Sequence, residues 1–148
     1  MKLANYINVD KGIMKLQNNW RQKTLENLEK DYWSNPDYDS YLVKRCHELR
    51  KLPLDKFVTE DLRIMIGQQM SLDYLIPLAI EVLAIDLFAE GDFFEGDLLK
   101  NVLSIDTDFW NNNKNHWATL DNLIKDKRSE IIAHKFDITN FDKSIHKH

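Results

Sequence analysis

Cysteine, glycine and proline are scarce in this chain, and each scarcity excludes something. A single cysteine, Cys46, leaves no partner for an intramolecular disulfide, so a reducing compartment is the expected setting. Four glycines and three prolines are too few for the many tight turns of an all-β fold. None of Gly12, Gly67, Gly91 and Gly96 forms part of a phosphate-cradling G-x-G-x-x-G or Walker pattern. Nor is there a nucleophile elbow or a zincin helix. No apolar run reaches the roughly 18 residues that would span a bilayer. The opening MKLANYINVDKG lacks the apolar centre and cleavage site of a signal peptide, so a cytoplasmic protein is expected. The longest gap is in charge of one sign: no Lys or Arg occurs between Arg63 and Lys100.

What is present balances these gaps. The 148 residues, 43% hydrophobic and 30% charged, suit one soluble globular domain spanning 1–148. The net charge of −4 hides an uneven distribution. Residues 52–113 carry twelve Asp/Glu against three Lys/Arg, a balance of −9, whereas 1–51 stand at +3 and 114–148 at +2. A field of that sign repels nucleic acid, so direct nucleic-acid binding is not expected, and it attracts cationic protein surfaces. A merely solubilising acidic face is the plainer reading of the same charges.

The first dozen residues look irregular, and from Leu16 onward apolar spacing predicts helices. Leu16, Trp20, Leu25, Leu28 and Tyr32 share one face until Asn35-Pro36 interrupts them. Tyr38, Tyr41, Leu42, Cys46 and Leu49 mark a second helix, and TEDLRIMIGQQM a third with Thr59 as its N-cap. In SLDYLIPLAIEVLAIDLFA, Pro77 is expected to open the main helix after a short turn over 73–76, a kinked continuous helix being the second choice. Shorter helices follow from Asp97 and Asp106. Trp117, Leu120, Leu123, Ile124 and Ile131 predict one helix in HWATLDNLIKDKRSEIIAHK. Residues 137–148 show no periodicity and are expected to form a flexible tail. The expectation is an all-α, single compact domain of about six or seven helices, with Trp20, Trp110 and Trp117 in its core.

Candidate chemistry thins out on inspection. Counted from Asp92, a calcium loop would place Phe94, Gly96 and Asp97 at positions where an EF-hand needs oxygen, oxygen and glycine. The DYD at 37–39 and the DTD at 106–108 have diphosphate-motif spacing, but helix capping explains both more simply. Cys46 and His47 point about 100° apart on a helix, so they form no nucleophile–base pair. No catalytic residue, metal site or cofactor is expected. What remains is DLFAEGDFFEGDLLK, residues 86–100, with five carboxylates and three phenylalanines before its first basic residue. One of Phe93 and Phe94 is expected to tuck beneath this loop, and Asp97 reads equally as helix cap and as partner contact.

Residues 52–103 resemble the contact-dependent growth inhibition immunity proteins, the CdiI type. TEDLRIMIGQQ, YLIPLAIEVL and AEGDFFEGDLLKNVL carry the resemblance, in order and spacing, over the central third of the chain. The resemblance implies an all-helical, non-enzymatic, cytoplasmic protein that binds the C-terminal toxin domain of a CdiA-type effector. Such toxins are commonly basic nucleases, and a carboxylate-rich loop complements a groove built to grip polyphosphate. Asp92, Phe94, Glu95 and Asp97 are the leading toxin-contact residues, with Asp37, Tyr38 and Asp39 second. A monomer is assumed. The alternatives are a helical adaptor or regulator that binds another basic protein, and an enzyme that uses the acidic cluster with a metal.

Overall fold

A computed structural model of the chain describes residues 6–9, 12–15, 18–34 and 40–145. Its helices are α1 (Leu25–Glu29), α2 (Tyr41–Arg50), α3 (Thr59–Gly67), α4 (Leu72–Ile85), α5 (Asp97–Leu103), α6 (Thr107–Asn111), α7 (Lys114–Ile124), α8 (Arg128–Ala133) and α9 (Thr139–Lys143). Two 3-10 turns, Trp20–Gln22 and Leu54–Lys56, flank the first two helices. The described residues thus hold nine α-helices rather than six or seven. They also hold a short antiparallel hairpin of β1 (Tyr6–Val9) and β2 (Gly12–Lys15), with Tyr6 opposite Lys15 and Val9 opposite Gly12. No helix among them is long and apolar enough to cross a membrane.

One hydrophobic cluster runs from Trp20 to Phe141, with α4 at its centre. Leu75, Ile76 and Ala79 of α4 are wholly inaccessible, and α4 packs against α3, α5 and α7. Each fully buried Leu or Ile stabilises by roughly 1.5–3 kcal/mol. That burial explains the first correction: α4 begins at Leu72 and continues through Pro77. The ring forgoes one backbone hydrogen bond, a cost of about 3 kcal/mol. Burial of Tyr74, Leu75, Ile76 and Pro77 itself outweighs it.

The chain's first helical pattern yields less helix than expected. Among described residues it forms the 3-10 turn at Trp20 and the five-residue α1, which stops at Lys30 in the left-handed region (φ 53°). Arg50, 3% exposed, pins α1 to α2 through Glu29 at 2.5 Å and the Asp31 carbonyl at 2.7 Å. On α2, Cys46 and Leu49 face inward, but Tyr41 and Leu42 are 70% and 38% exposed. At α3, Asp61 and not Thr59 provides the cap: its carboxylate accepts the Val58 N–H at 3.0 Å and takes Arg45 of α2 at 2.9 Å.

The C-terminal region departs further from expectation. The single long helix is two, α7 and α8, separated by a turn at 125–127. The turn lets Arg128 bridge Asp121 of α7 at 3.4 Å and Asp142 of α9 at 3.0 Å. The expected tail is corrected over 137–145, where α9 inserts Phe141 into the core at 0% exposure. Phe141 stacks on Trp117 at 5.0 Å, and its carbonyl accepts the Trp117 indole N–H at 2.9 Å. Residues 146–148 lie outside the described residues.

Candidate functional site

The acidic loop joins α4 to α5 and is built around a carboxylate turned inward. Asp97, 2% exposed, accepts the Gly91 N–H at 2.6 Å, the Phe93 N–H at 3.1 Å and the Phe94 N–H at 3.3 Å. Three backbone donors that would otherwise lack partners are satisfied by one side chain. The Phe88 carbonyl closes the loop by accepting the Gly96 N–H at 3.0 Å. Gly96 has φ +84°, and a Cβ there would lie 2.9 Å from Phe136 and 3.1 Å from Phe88, so only glycine fits.

Helix α3 supplies the second support. Glu60 accepts the Asp92 N–H at 2.9 Å and holds Arg63 through two contacts of 2.6 and 2.7 Å. The Arg63 bonds hold the Glu60 carboxyl below its ordinary value, against an opposing effect of burial. The Arg63 Nε lies 3.8 Å from Asp97, and its guanidinium sits 4.1 Å from the Phe93 ring centroid. Glu60, Asp92 and Asp97 therefore surround one cation, leaving two uncompensated negative charges. Nothing in the local spacing signals this partnership, because Glu60 and Arg63 lie about thirty residues upstream of the loop.

These supports give the loop two faces. On one, Asp92 and Phe93 border a groove of about 610 Å³ that Tyr41, Leu42, Arg63 and Gly67 also line. Arg45 to Asp61 ties α2 to α3, and Asn101 of α5 donates to the Arg63 carbonyl at 2.9 Å, so the groove walls are fixed to one another. On the other face, Phe94 packs toward Phe136 at 6.2 Å and Glu95 lies 3.7 Å from the His134 Nε2. His134 in turn stacks on Phe88 at 4.7 Å.

Of the residues singled out from the sequence, Asp92, Phe94 and Glu95 stand at the surface. Asp97 does not; both its oxygens hold the loop. Asp37, Tyr38 and Asp39 lie outside the described residues, just ahead of Ser40 and Tyr41. The expectation that Phe93 or Phe94 tucks inside is corrected: they are 69% and 41% exposed. Phe88 and Phe136 already fill the space beneath the loop, and Arg63 holds Phe93 outside. Tyr41 and Leu42, assigned to a buried face, are the groove residues that sequence reasoning missed. Cys46 is buried while His47 bonds the Val43 carbonyl at 2.9 Å, so the two are apart. Asp106 precedes α6 without a side-chain cap bond. Among the described residues no three His, Cys, Asp or Glu side chains are grouped as metal ligands.

A family model described as CDI immunity proteins matches residues 27–120, from α1 into α7, and so includes the loop, its supports and the groove. No curated protein and no solved structure matches the chain. CDI immunity proteins are toxin-binding inhibitors and not enzymes, and each binds a cognate CdiA toxin. The match covers well over half of the sequence, and the chain belongs to the CDI immunity protein family.

Proposed function

We propose that this immunity protein neutralises the C-terminal domain of its cognate CdiA-type effector by stoichiometric binding in the cytoplasm, that this toxin domain is a basic nuclease, and that the protein acts as a single-domain monomer. The observation that carries the reading is the acidic loop. Asp92 and Glu95 stand exposed on a backbone that Asp97 and Glu60 hold in place, so little ordering entropy is lost on docking. A nuclease needs a positive groove for polyphosphate, and a fixed set of carboxylates complements it. Long-range attraction would raise the association rate toward about 10⁸ M⁻¹s⁻¹ at low salt, which suits capture of a toxin before it turns over. Asp92, Phe94 and Glu95 are the proposed contacts, with Asp37, Tyr38 and Asp39 in the adjoining segment; Asp97 serves by shaping the loop.

The test is co-expression with the toxin domain followed by calorimetric titration at about 0.05 M and about 0.5 M salt. One-to-one binding that weakens with salt is expected. The double variant Asp92→Lys with Glu95→Lys should lose at least about tenfold in affinity, mostly through slower association. Absence of wild-type binding would sink the reading. Unchanged affinity in the double variant would move the interface off the loop.

A further inference from the structure

We infer that the groove between α2, α3 and the loop residues Asp92 and Phe93 is the receptor for an arginine side chain of the toxin domain, an inference that rests on the toxin-binding reading above. Three large apolar groups stand in water around this one depression: Tyr41 at 70%, Phe93 at 69% and Leu42 at 38% exposure. A small soluble protein leaves such a cluster exposed where a partner covers it.

Charge selects the kind of partner. Three carboxylates surround Arg63, and two of them are committed: Glu60 to Arg63 and the Asp92 N–H, Asp97 to the loop amides. Among the described residues the Asp92 carboxylate accepts no hydrogen bond, and it stands exposed at the groove edge. The groove therefore offers one available carboxylate in a field that is negative overall. A cation enters it more favourably than any neutral or acidic group.

Ring chemistry then distinguishes arginine from lysine. The Phe93 ring already carries the Arg63 guanidinium at 4.1 Å, so this wall accepts a planar cation. A second guanidinium has the exposed aromatic surface of Tyr41 and Phe93 to stack on, and the Asp92 carboxylate to bond with two N–H groups. Its aliphatic stem has Leu42 to lie against. Gly67 lets Asn101 lie close along this lining, since a Cβ there would come within 2.8 Å of the Asn101 side-chain nitrogen.

The test uses the full chain and the purified toxin domain. Asp92→Asn removes the charge without changing shape, and Leu42→Trp fills the groove; Glu130→Gln removes an exposed carboxylate of α8 that does not line the groove. Affinity should fall at least about tenfold for the first two and less than about threefold for the third. Phenylglyoxal footprinting of the toxin, read by mass spectrometry, should show one arginine shielded by the wild type and exposed again with saturating Leu42→Trp. If Leu42→Trp lowers the melting temperature, Gln68→Trp fills the same groove from the end of α3. Wild-type affinity in the groove variants, or shielding of lysines alone, would overturn the groove while leaving toxin binding intact. No binding by the wild type would overturn both.

Discussion

Replacing Asp97 by alanine should be among the most damaging single changes to this protein outside its apolar core. The carboxylate is 2% exposed and accepts three backbone N–H groups at 2.6, 3.1 and 3.3 Å. A hydrogen bond to a charged acceptor contributes about 1.5–3 kcal/mol. The full sum is not expected, because Phe93 and Phe94 are exposed and their amides can turn to water once the loop opens. A loss of about 2–4 kcal/mol follows, which for a chain of this size lowers the melting temperature by roughly 4–16 °C. Urea and thermal denaturation measure the loss, and amide exchange at Gly91, Phe93 and Phe94 should accelerate far more than in α4. Asp97→Asn keeps one acceptor oxygen and should fall between the two. Stability within about 0.5 kcal/mol of wild type, with those amides still protected, would refute the role given to this side chain.

Other perturbations have equally definite outcomes. Gly96→Ala forces a left-handed alanine against Phe136 and Phe88, so a loss of at least about 2 kcal/mol is expected in urea denaturation, and a neutral change would contradict the φ of +84°. The folded-state carboxyl of Glu60 is held below its ordinary value of 4.5, chiefly by Arg63. Its stabilising contribution is therefore complete above about pH 4.5 and is lost as pH falls through the depressed value. Urea midpoints measured from neutral to acid pH should drop less steeply in Glu60→Gln than in wild type; parallel curves would refute the pairing. Phe141→Ala empties a core site between Trp110 and Trp117 and should cost about 3–5 kcal/mol with a change in tryptophan fluorescence. A cost under about 1 kcal/mol would show that α9 is dispensable.

How much of this was readable in advance depended on the range of the interaction. Local spacing marked α2, α3 and α5, and the large residues Trp20, Trp110 and Trp117 are buried as their size suggests. Spacing gave no sign of α9, because a five-residue helix with Phe141 as its one buried residue offers no apolar repeat to rise above its polar neighbours. Pro77 was misread because backbone rules weigh a missing hydrogen bond, whereas the burial of α4 is a tertiary quantity. Periodicity identifies which residues of α2 share a face; it does not say that anything covers Tyr41 and Leu42. The loop's supports were hidden for a similar reason. Glu60 and Arg63 meet Asp92, Phe93 and Asp97 only when α3 packs beside α5.

Hydrogen exchange on the chain alone and bound to its cognate toxin domain tests the central claim most directly. New protection is expected at residues 91–95, where the amides of Asp92 and Glu95 border the proposed contacts, and along Tyr41 to Val43 across the groove. Protection confined to α6–α9, with the loop exchanging as it does in the free protein, would contradict the claim that this acidic surface is where the toxin docks.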